Sequence, residues 1–255
     1  MPEAPFPRER YSSIAHSALD ICNPISRAKH DRVMELCAPA PNDRVLDVGA
    51  GKGTLLLDMV ERFGVRAVAI EPARTFADII EREAHRRGVS SRVTLLRSTL
   101  ADARTSPALN TPFDCACCIG STHAFGDSRS CVRGLRDLVR PGGLVVVGLG
   151  YWKKPPDPAY LTALGARVDE NTTHAGTISL LTAEDLVPLW AATAADDEWD
   201  EYEWAYARAI EDFARRNPTD PDTPRFLARS RAWRDIVTQW GRDTLGFMVC
   251  VAMRT

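Results

Sequence analysis

Residues 45–53 read Val45-Leu46-Asp47-Val48-Gly49-Ala50-Gly51-Lys52-Gly53. A short apolar run, suited to a strand buried on both faces, passes directly into a loop of alternating glycines. Residues 54–63 then carry helical spacing. Glycines in such a loop let a ligand approach the backbone where side chains would clash. The helix that follows begins with N–H groups that have no intrahelical partner. A dinucleotide fingerprint, GxGxxG, would place its third glycine at position 54. That position is Thr54, and the glycines run GxGxG instead. The spacing favours a ligand without a pyrophosphate over a nicotinamide dinucleotide.

Strand–helix alternation extends outward from this loop, as βαβ units of a parallel sheet require. Strands are expected at Arg44–Val48, Arg66–Ile70, Arg92–Leu96, Phe113–Ile119 and Leu144–Leu149. Helices are expected at Thr54–Phe63, at Ala73–Arg87 before the stop signal Gly88, and from about Ser128 to Val139 before Pro141-Gly142-Gly143. Upstream, residues 1–25 read as irregular, and Ser26 caps a helix reaching about Cys37. Downstream, Tyr151–Ala166 holds a turn and a short helix. Thr182-Ala183-Glu184-Asp185 starts a helix through Leu189, and residues 190–195 read as a strand. Glu198–Arg216 and residues 223–240 are helical, and Phe247–Met253 is a last strand. A closing antiparallel hairpin gives the strand order 3-2-1-4-5-7-6. The expected architecture is a Rossmann-like, doubly wound α/β domain with a mostly parallel seven-stranded sheet. Residues 1–43 would form an N-terminal helical lid and first helix, 44–150 the ligand-binding core, and 151–255 the C-terminal strands with a helical insertion.

Composition narrows the class. A chain of 255 residues can bury one self-sufficient core. The net charge of −2 shows no basic excess, which argues against a nucleic-acid partner. Only four of the 32 basic residues are lysine, so abundant arginine is a compositional bias rather than a phosphate-binding signal. No run of 18 apolar residues exists for a membrane span, and MPEAPFPRERYSS has no apolar signal-peptide core, so a cytoplasmic protein is expected. Seven cysteines, an odd number set mostly in apolar stretches, suit reduced, buried thiols. Cys115, Cys117 and Cys118 make no metal site: a strand turns Cys117 and Cys118 to opposite faces, and no second CxxC or HxxxH stands by.

Glu71 ends the second strand, 18 positions after Gly53. In nucleotide-binding sheets a carboxylate there accepts from both ribose hydroxyls. Gly120-Ser121-Thr122-His123-Ala124-Phe125-Gly126 follows the fourth strand, at the edge where open α/β sheets bind ligands. His123 is the one histidine in such a loop; it is a candidate base, or else a turn residue. His16 lies in the N-terminal segment and His174 in a polar loop, while His30 and His85 read as helix-surface residues. Tyr11, Asn23, Tyr151 and Trp152 are candidates for a substrate wall, since aromatic rings give a pocket rigid apolar area with a polar tip.

VLDVGAGKG, AIEPA, FDCACCIGSTHAFGD and LVRPGGLVVVGLGYW together resemble the successive motifs of class I S-adenosylmethionine (SAM) dependent methyltransferases, and in particular bacterial small-molecule enzymes. The resemblance covers residues 26–152 well. It implies SAM as cofactor and S-adenosylhomocysteine (SAH) as product. It places Asp47, Gly49, Gly51 and Gly53 on the methionine side, Glu71 on the ribose and Pro72 beside the adenosine, with Ser98, Thr99, Leu100 and Gly120 completing the cofactor site. Thr99 stands where that family usually carries an acidic residue for the adenine amino group, which would then meet a hydroxyl or a backbone carbonyl. The implied reaction is methyl transfer to a small-molecule acceptor, of the kind handled in specialised metabolism, with no metal, nucleic acid or membrane involved and with room for a homo-oligomer. The rival readings are a nucleotide-dependent oxidoreductase on a Rossmann-like sheet, and a protein that binds SAM for a role other than methyl transfer. Calorimetry separates the first rival: SAM and SAH should bind with micromolar or tighter affinity and NAD(P) negligibly, whereas tight NAD binding without a response to SAM would sink the methyltransferase reading.

Overall fold

A computed structural model describes residues 5–255. The chain order is α1 (Arg8–Ala15), α2 (Arg27–Cys37), β1 (Arg44–Val48), α3 (Thr54–Phe63), β2 (Arg66–Ile70), α4 (Arg74–Arg86), β3 (Val93–Leu96), α5 (Leu100–Ala103), β4 (Phe113–Ile119), α6 (Ser128–Leu138), β5 (Val139–Trp152), α7 (Pro158–Leu164), α8 (His174–Ala183), β6 (Leu186–Thr193), α9 (Asp196–Arg216), α10 (Thr223–Ile236) and β7 (Leu245–Arg254). Seven strands form one sheet in the order β3-β2-β1-β4-β5-β7-β6. The β1–β2, β1–β4, β2–β3 and β4–β5 pairs are parallel; β7 runs antiparallel to both β5 and β6. This is the sheet expected from the sequence.

The central strands are largely apolar because both faces are covered, with Asp47 in β1 and Asp114 in β4 as the carboxyl groups among them. Val45, Ala67, Ala69, Cys115 and Cys117 pack with α2 and α3 on one face. Leu46, Val48, Val68, Ala116 and Cys118 pack with α5, α6 and α8 on the other. The period of two therefore splits the cysteine cluster. Cys115 and Cys117 share a face, with sulfurs 3.9 Å apart, while Cys118 joins Cys131 across the sheet. Local signals set the helix ends. The Ser26 hydroxyl accepts from Lys29 N–H, and Asp127 accepts from Ser130 N–H at 2.7 Å. Among the described residues no helix is long and apolar enough to cross a membrane.

Four segments differ from the sequence expectation. Residues 8–15, read as irregular, form α1, whose Tyr11 and Ala15 are buried against α9 and α10. The helix expected from Thr182 through Leu189 is absent: α8 ends at Ala183, Asp185 takes a positive φ of 56°, and β6 begins at Leu186. The pairing partner β7 extends the strand, overriding the local capping pattern. β5 starts at Val139 rather than Leu144, with a register shift opposite Phe113–Cys115 absorbing Pro141-Gly142-Gly143. The last helix changes at Ile236 to one turn of π-helix over Val237–Gly241.

Candidate functional site

The parallel strands all end at one edge of the sheet, and a cavity of about 580 Å³ opens there. Its floor is Asp47 of β1 with Gly49–Lys52 after it, Glu71–Ala73 after β2, Thr99–Ala101 after β3, and Ile119 of β4 with Gly120, Ser121 and His123 after it. Residues 20–23 cross above it, joined by His16 from the end of α1, His30 from α2 and Tyr202 from α9.

Glu71 is the best-defined polar group. Its side chain is buried, yet one oxygen accepts from Gly51 N–H at 2.8 Å and the other from Ala73 N–H at 2.8 Å. Each carboxylate oxygen keeps a lone pair for a further donor. Burial raises the Glu71 pKa above its ordinary value, against the opposing pull of the two N–H bonds. Asp47 lies in the same wall. Burial, with the Glu71 charge adding to it, pushes its carboxyl up to about 7.

The loop glycines do three different jobs. Gly49 has φ +72°, and a Cβ there would sit 2.4 Å from Ser121 Cβ, so it lets the loop after β4 close against β1. Gly53 has φ +73° and a Cβ would meet Ile80 at 2.8 Å, so it seats α3 against α4. Only Gly51, φ +55°, has no atom closer than the 3.8 Å of Cys22 and keeps the loop surface open to the cavity.

The loop's side chains hold the segment above. Lys52 Nζ donates to Leu19 O at 2.6 Å, and Thr54 Oγ1 to Asp20 O at 2.6 Å. His16 lies with Nε2 3.0 Å from the Tyr202 hydroxyl and Nδ1 2.8 Å from Ser12 O; burial lowers its pKa. Thus the chain from α1 to α2 is strapped over the loop from two sides.

The structure brings Asp47, Gly49, Gly51, Glu71, Pro72, Thr99, Leu100, Gly120, Asn23 and His123 to one cavity. His123 lies at its exposed rim, in a short 3₁₀ turn over Thr122–Ala124. Five expected residues stand elsewhere. Gly53 faces Ile80, as above. Ser98 precedes the turn that carries Thr99–Ala101 inward and does not line the cavity. Tyr11 packs edge-on against Phe6, Tyr206 and Phe226 in the helical layer, because α1 turns its apolar face to α9 and α10. Tyr151 packs on His174 and on Gly246, where a Cβ would lie 2.3 Å from its ring. Trp152 donates from Nε1 to Val168 O at 2.9 Å and packs on Tyr160. The Thr99 hydroxyl donates to Asp102 at 2.7 Å and caps α5, so it is committed within its own turn. His30, read as a surface residue, is 2% exposed and lines the cavity. Its spacing with Val33, Met34 and Cys37 marks the buried face of α2 and is the signal that reveals it.

Residues 45–143 match the family model described as a methyltransferase domain. A SAM-dependent methyltransferase from Geobacter sulfurreducens, in complex with SAH, superposes with a TM-score of 0.87 at 24% identity and full coverage of both chains. The uncharacterized protein YjhP of Escherichia coli (strain K12) is 25% identical over 246 residues, covering 94% of this chain and 96% of its own. The 27-O-demethylrifamycin SV methyltransferase of Amycolatopsis mediterranei is 29% identical over 140 residues, 55% of this chain and 50% of its own. The chain has the class I SAM-dependent methyltransferase fold, and its residues 45–143 carry the sequence of the methyltransferase domain family.

Two measurements probe this wall. The folded chain holds a proton on Asp47 up to about pH 7, whereas an unfolded aspartate releases it near 3.8. Unfolding is therefore favoured progressively as pH rises through that window, by up to about 4 kcal/mol at about 1.4 kcal/mol per unit. The stability of Asp47→Asn relative to wild type, from urea unfolding of the ligand-free protein, should rise by about 2–4 kcal/mol between pH 4 and pH 8; a difference independent of pH would refute the buried-charge account. Glu71→Ala should weaken SAH binding by about tenfold to several hundredfold in calorimetry while circular dichroism stays near native, since charge-assisted bonds contribute about 1.5–3 kcal/mol each.

Proposed function

We propose that the chain binds SAM at this edge and transfers its methyl group to a small-molecule acceptor. The observation that carries the reading is the Glu71 carboxylate, buried, fixed by two backbone N–H groups and still able to accept from two more donors, at the end of β2 in one continuous cavity with the glycine loop. That arrangement suits a ribose diol. The donor set fits the cofactor elsewhere too. Pro72 and Leu100 offer apolar contact for an adenine ring. The Thr99 hydroxyl donates to Asp102 and accepts from the Asp102 N–H, which leaves one lone pair of that oxygen and the backbone carbonyls of the turn to accept from the adenine amino group. Bound there, SAM supplies a methyl group activated by its sulfonium.

The chain's own part is alignment and exclusion of water. Residues 20–23 roof the cavity, and Lys52 and Thr54 hold them there. A cavity of this size has room for a cofactor and a modest acceptor, within the usual range for small-molecule sites. The partial likeness to a methyltransferase named for a rifamycin supports a small-molecule acceptor over a macromolecular one. A cytoplasmic location is part of the same reading. His123, at the rim beside the β4 end, contacts the acceptor, and alignment of donor and acceptor rather than proton removal by this ring carries the rate.

Transfer of labelled methyl from SAM to a panel of phenols, amines and thiols tests the reading; SAH binding without transfer to any acceptor class would favour the non-methylating alternative. With an accepted substrate, His123→Ala should raise KM and lower kcat only a few-fold, leaving SAH affinity unchanged. A kcat loss of about 10²–10⁴ together with loss of the acid limb of the pH–rate profile would instead make His123 an obligatory base.

A further inference from the structure

Sheet order gives the cavity a direction. Thr99–Ala101 follow β3, Glu71 ends β2 and Gly120 follows β4, in the spatial order β3-β2-β1-β4. Neighbouring strands lie about 4.8 Å apart, so the β3 and β4 ends are about 14 Å apart along the edge. A ligand with its base at Leu100 and its ribose at Glu71 extends over β1 towards β4.

Unpartnered polar atoms line this cavity, one of them, on Asn23, beside Gly120 at the β4 end. Asn23 has its Cβ 3.9 Å from the position a Cβ would take at Gly120, and its Oδ1 is buried with no hydrogen-bond partner among the described residues. His30 reaches the cavity from α2, and neither of its ring nitrogens has such a partner. Asp31 lies 3.7 Å from its Nδ1, beyond hydrogen-bonding reach. The first turn of α3 lines the same cavity through Thr54 and Leu55, and no side chain among the described residues caps its N-terminus. Its leading N–H groups therefore lack intrahelical partners and favour a negative charge.

An acceptor, a ring N–H donor and an uncapped helix start match the needs of a zwitterion. We infer that Asn23 and His30 hold the α-amino-acid head of the cofactor, Asn23 Oδ1 accepting from its ammonium and His30 with the α3 N-terminus donating to its carboxylate. This rests on the cofactor assignment above. Burial lowers the His30 pKa and keeps the ring neutral, with one nitrogen a donor. The charged groups facing it are Asp58 from α3 and Arg27 and Asp31 from its own helix.

Two probes separate the head from the rest of the cofactor: SAH, and 5′-methylthioadenosine, which lacks the amino acid. Calorimetry on Asn23→Ala and His30→Phe should show SAH affinity reduced about 5- to 150-fold in each, with 5′-methylthioadenosine affinity within about twofold of wild type. Unchanged SAH affinity in both variants, or equal losses for the two ligands, would overturn the inference. Should His30→Phe fail to fold, wild-type protein labelled with ¹⁵N-histidine decides: the His30 ring signals should move on adding SAH and stay in place on adding 5′-methylthioadenosine, and the absence of that difference overturns the assignment of His30. Wild-type protein that binds neither ligand would overturn the cofactor assignment itself, a result distinct from selective loss in the variants.

Discussion

The site depends on one buried carboxylate. Glu71 ends β2, yet its two oxygens are held by N–H groups from both sides: Gly51 in the loop after β1 and Ala73 before α4. A buried charge is costly unless it is hydrogen-bonded, and a loop N–H left without a partner is costly as well. The contact therefore satisfies both groups and fixes the glycine loop relative to the neighbouring strand. It also determines what the cavity presents, since each Glu71 oxygen keeps a lone pair beyond its backbone bond and Glu71 lines the cavity. The loop owes its shape to three positive-φ glycines, but the structure assigns them to loop closure, helix seating and ligand access separately. An alanine at Gly49 or Gly53 would meet protein atoms before it met any ligand.

The roof is built with the same economy of parts. Lys52 and Thr54 belong to the loop and the helix start, but their side chains turn outward to carbonyls of residues 17–20. The backbone of the loop faces the cavity while its side chains hold what covers it. On the other side His16 meets Tyr202, and the α1 cluster of Phe6, Tyr11, Phe226 and Tyr206 anchors the roof in the helical layer. Tyr11 thus supports the roof from outside the cavity.

How legible this was follows from the physics of each element. Strands buried on both faces leave mostly apolar runs, so β1, β2 and β4 are legible between Arg44 and Ile119. Glycine spacing and the position of Glu71 located the cavity, because few other residue types can occupy those places. Tyr151 and Trp152 were not separable from site residues in the sequence: an aromatic ring serves a pocket wall and a helix–strand contact equally well, and only tertiary packing chooses between them. The strand at Leu186 was hidden because its partner β7 lies some sixty residues away, outside any local pattern. His30 was legible in principle, since positions 30, 33, 34 and 37 trace the apolar face of α2, but histidine carries too little hydrophobicity to announce itself as buried.

The remaining lesson is electrostatic. Asp20, Asp47 and Glu71 all line the cavity, whereas its lysine, Lys52, has its ammonium committed to roof carbonyls and the buried imidazoles of His16 and His30 are held towards neutrality. Carboxyl groups therefore outnumber ammonium groups along the wall, and the Glu71 charge adds to burial in raising the Asp47 pKa. A cationic ligand relieves the repulsion between the two carboxyls, and a neutral one of the same shape does not. The charge distribution of this wall thus suits a ligand carrying a positive charge near Asp47 and Glu71, as the sulfonium of the proposed cofactor would.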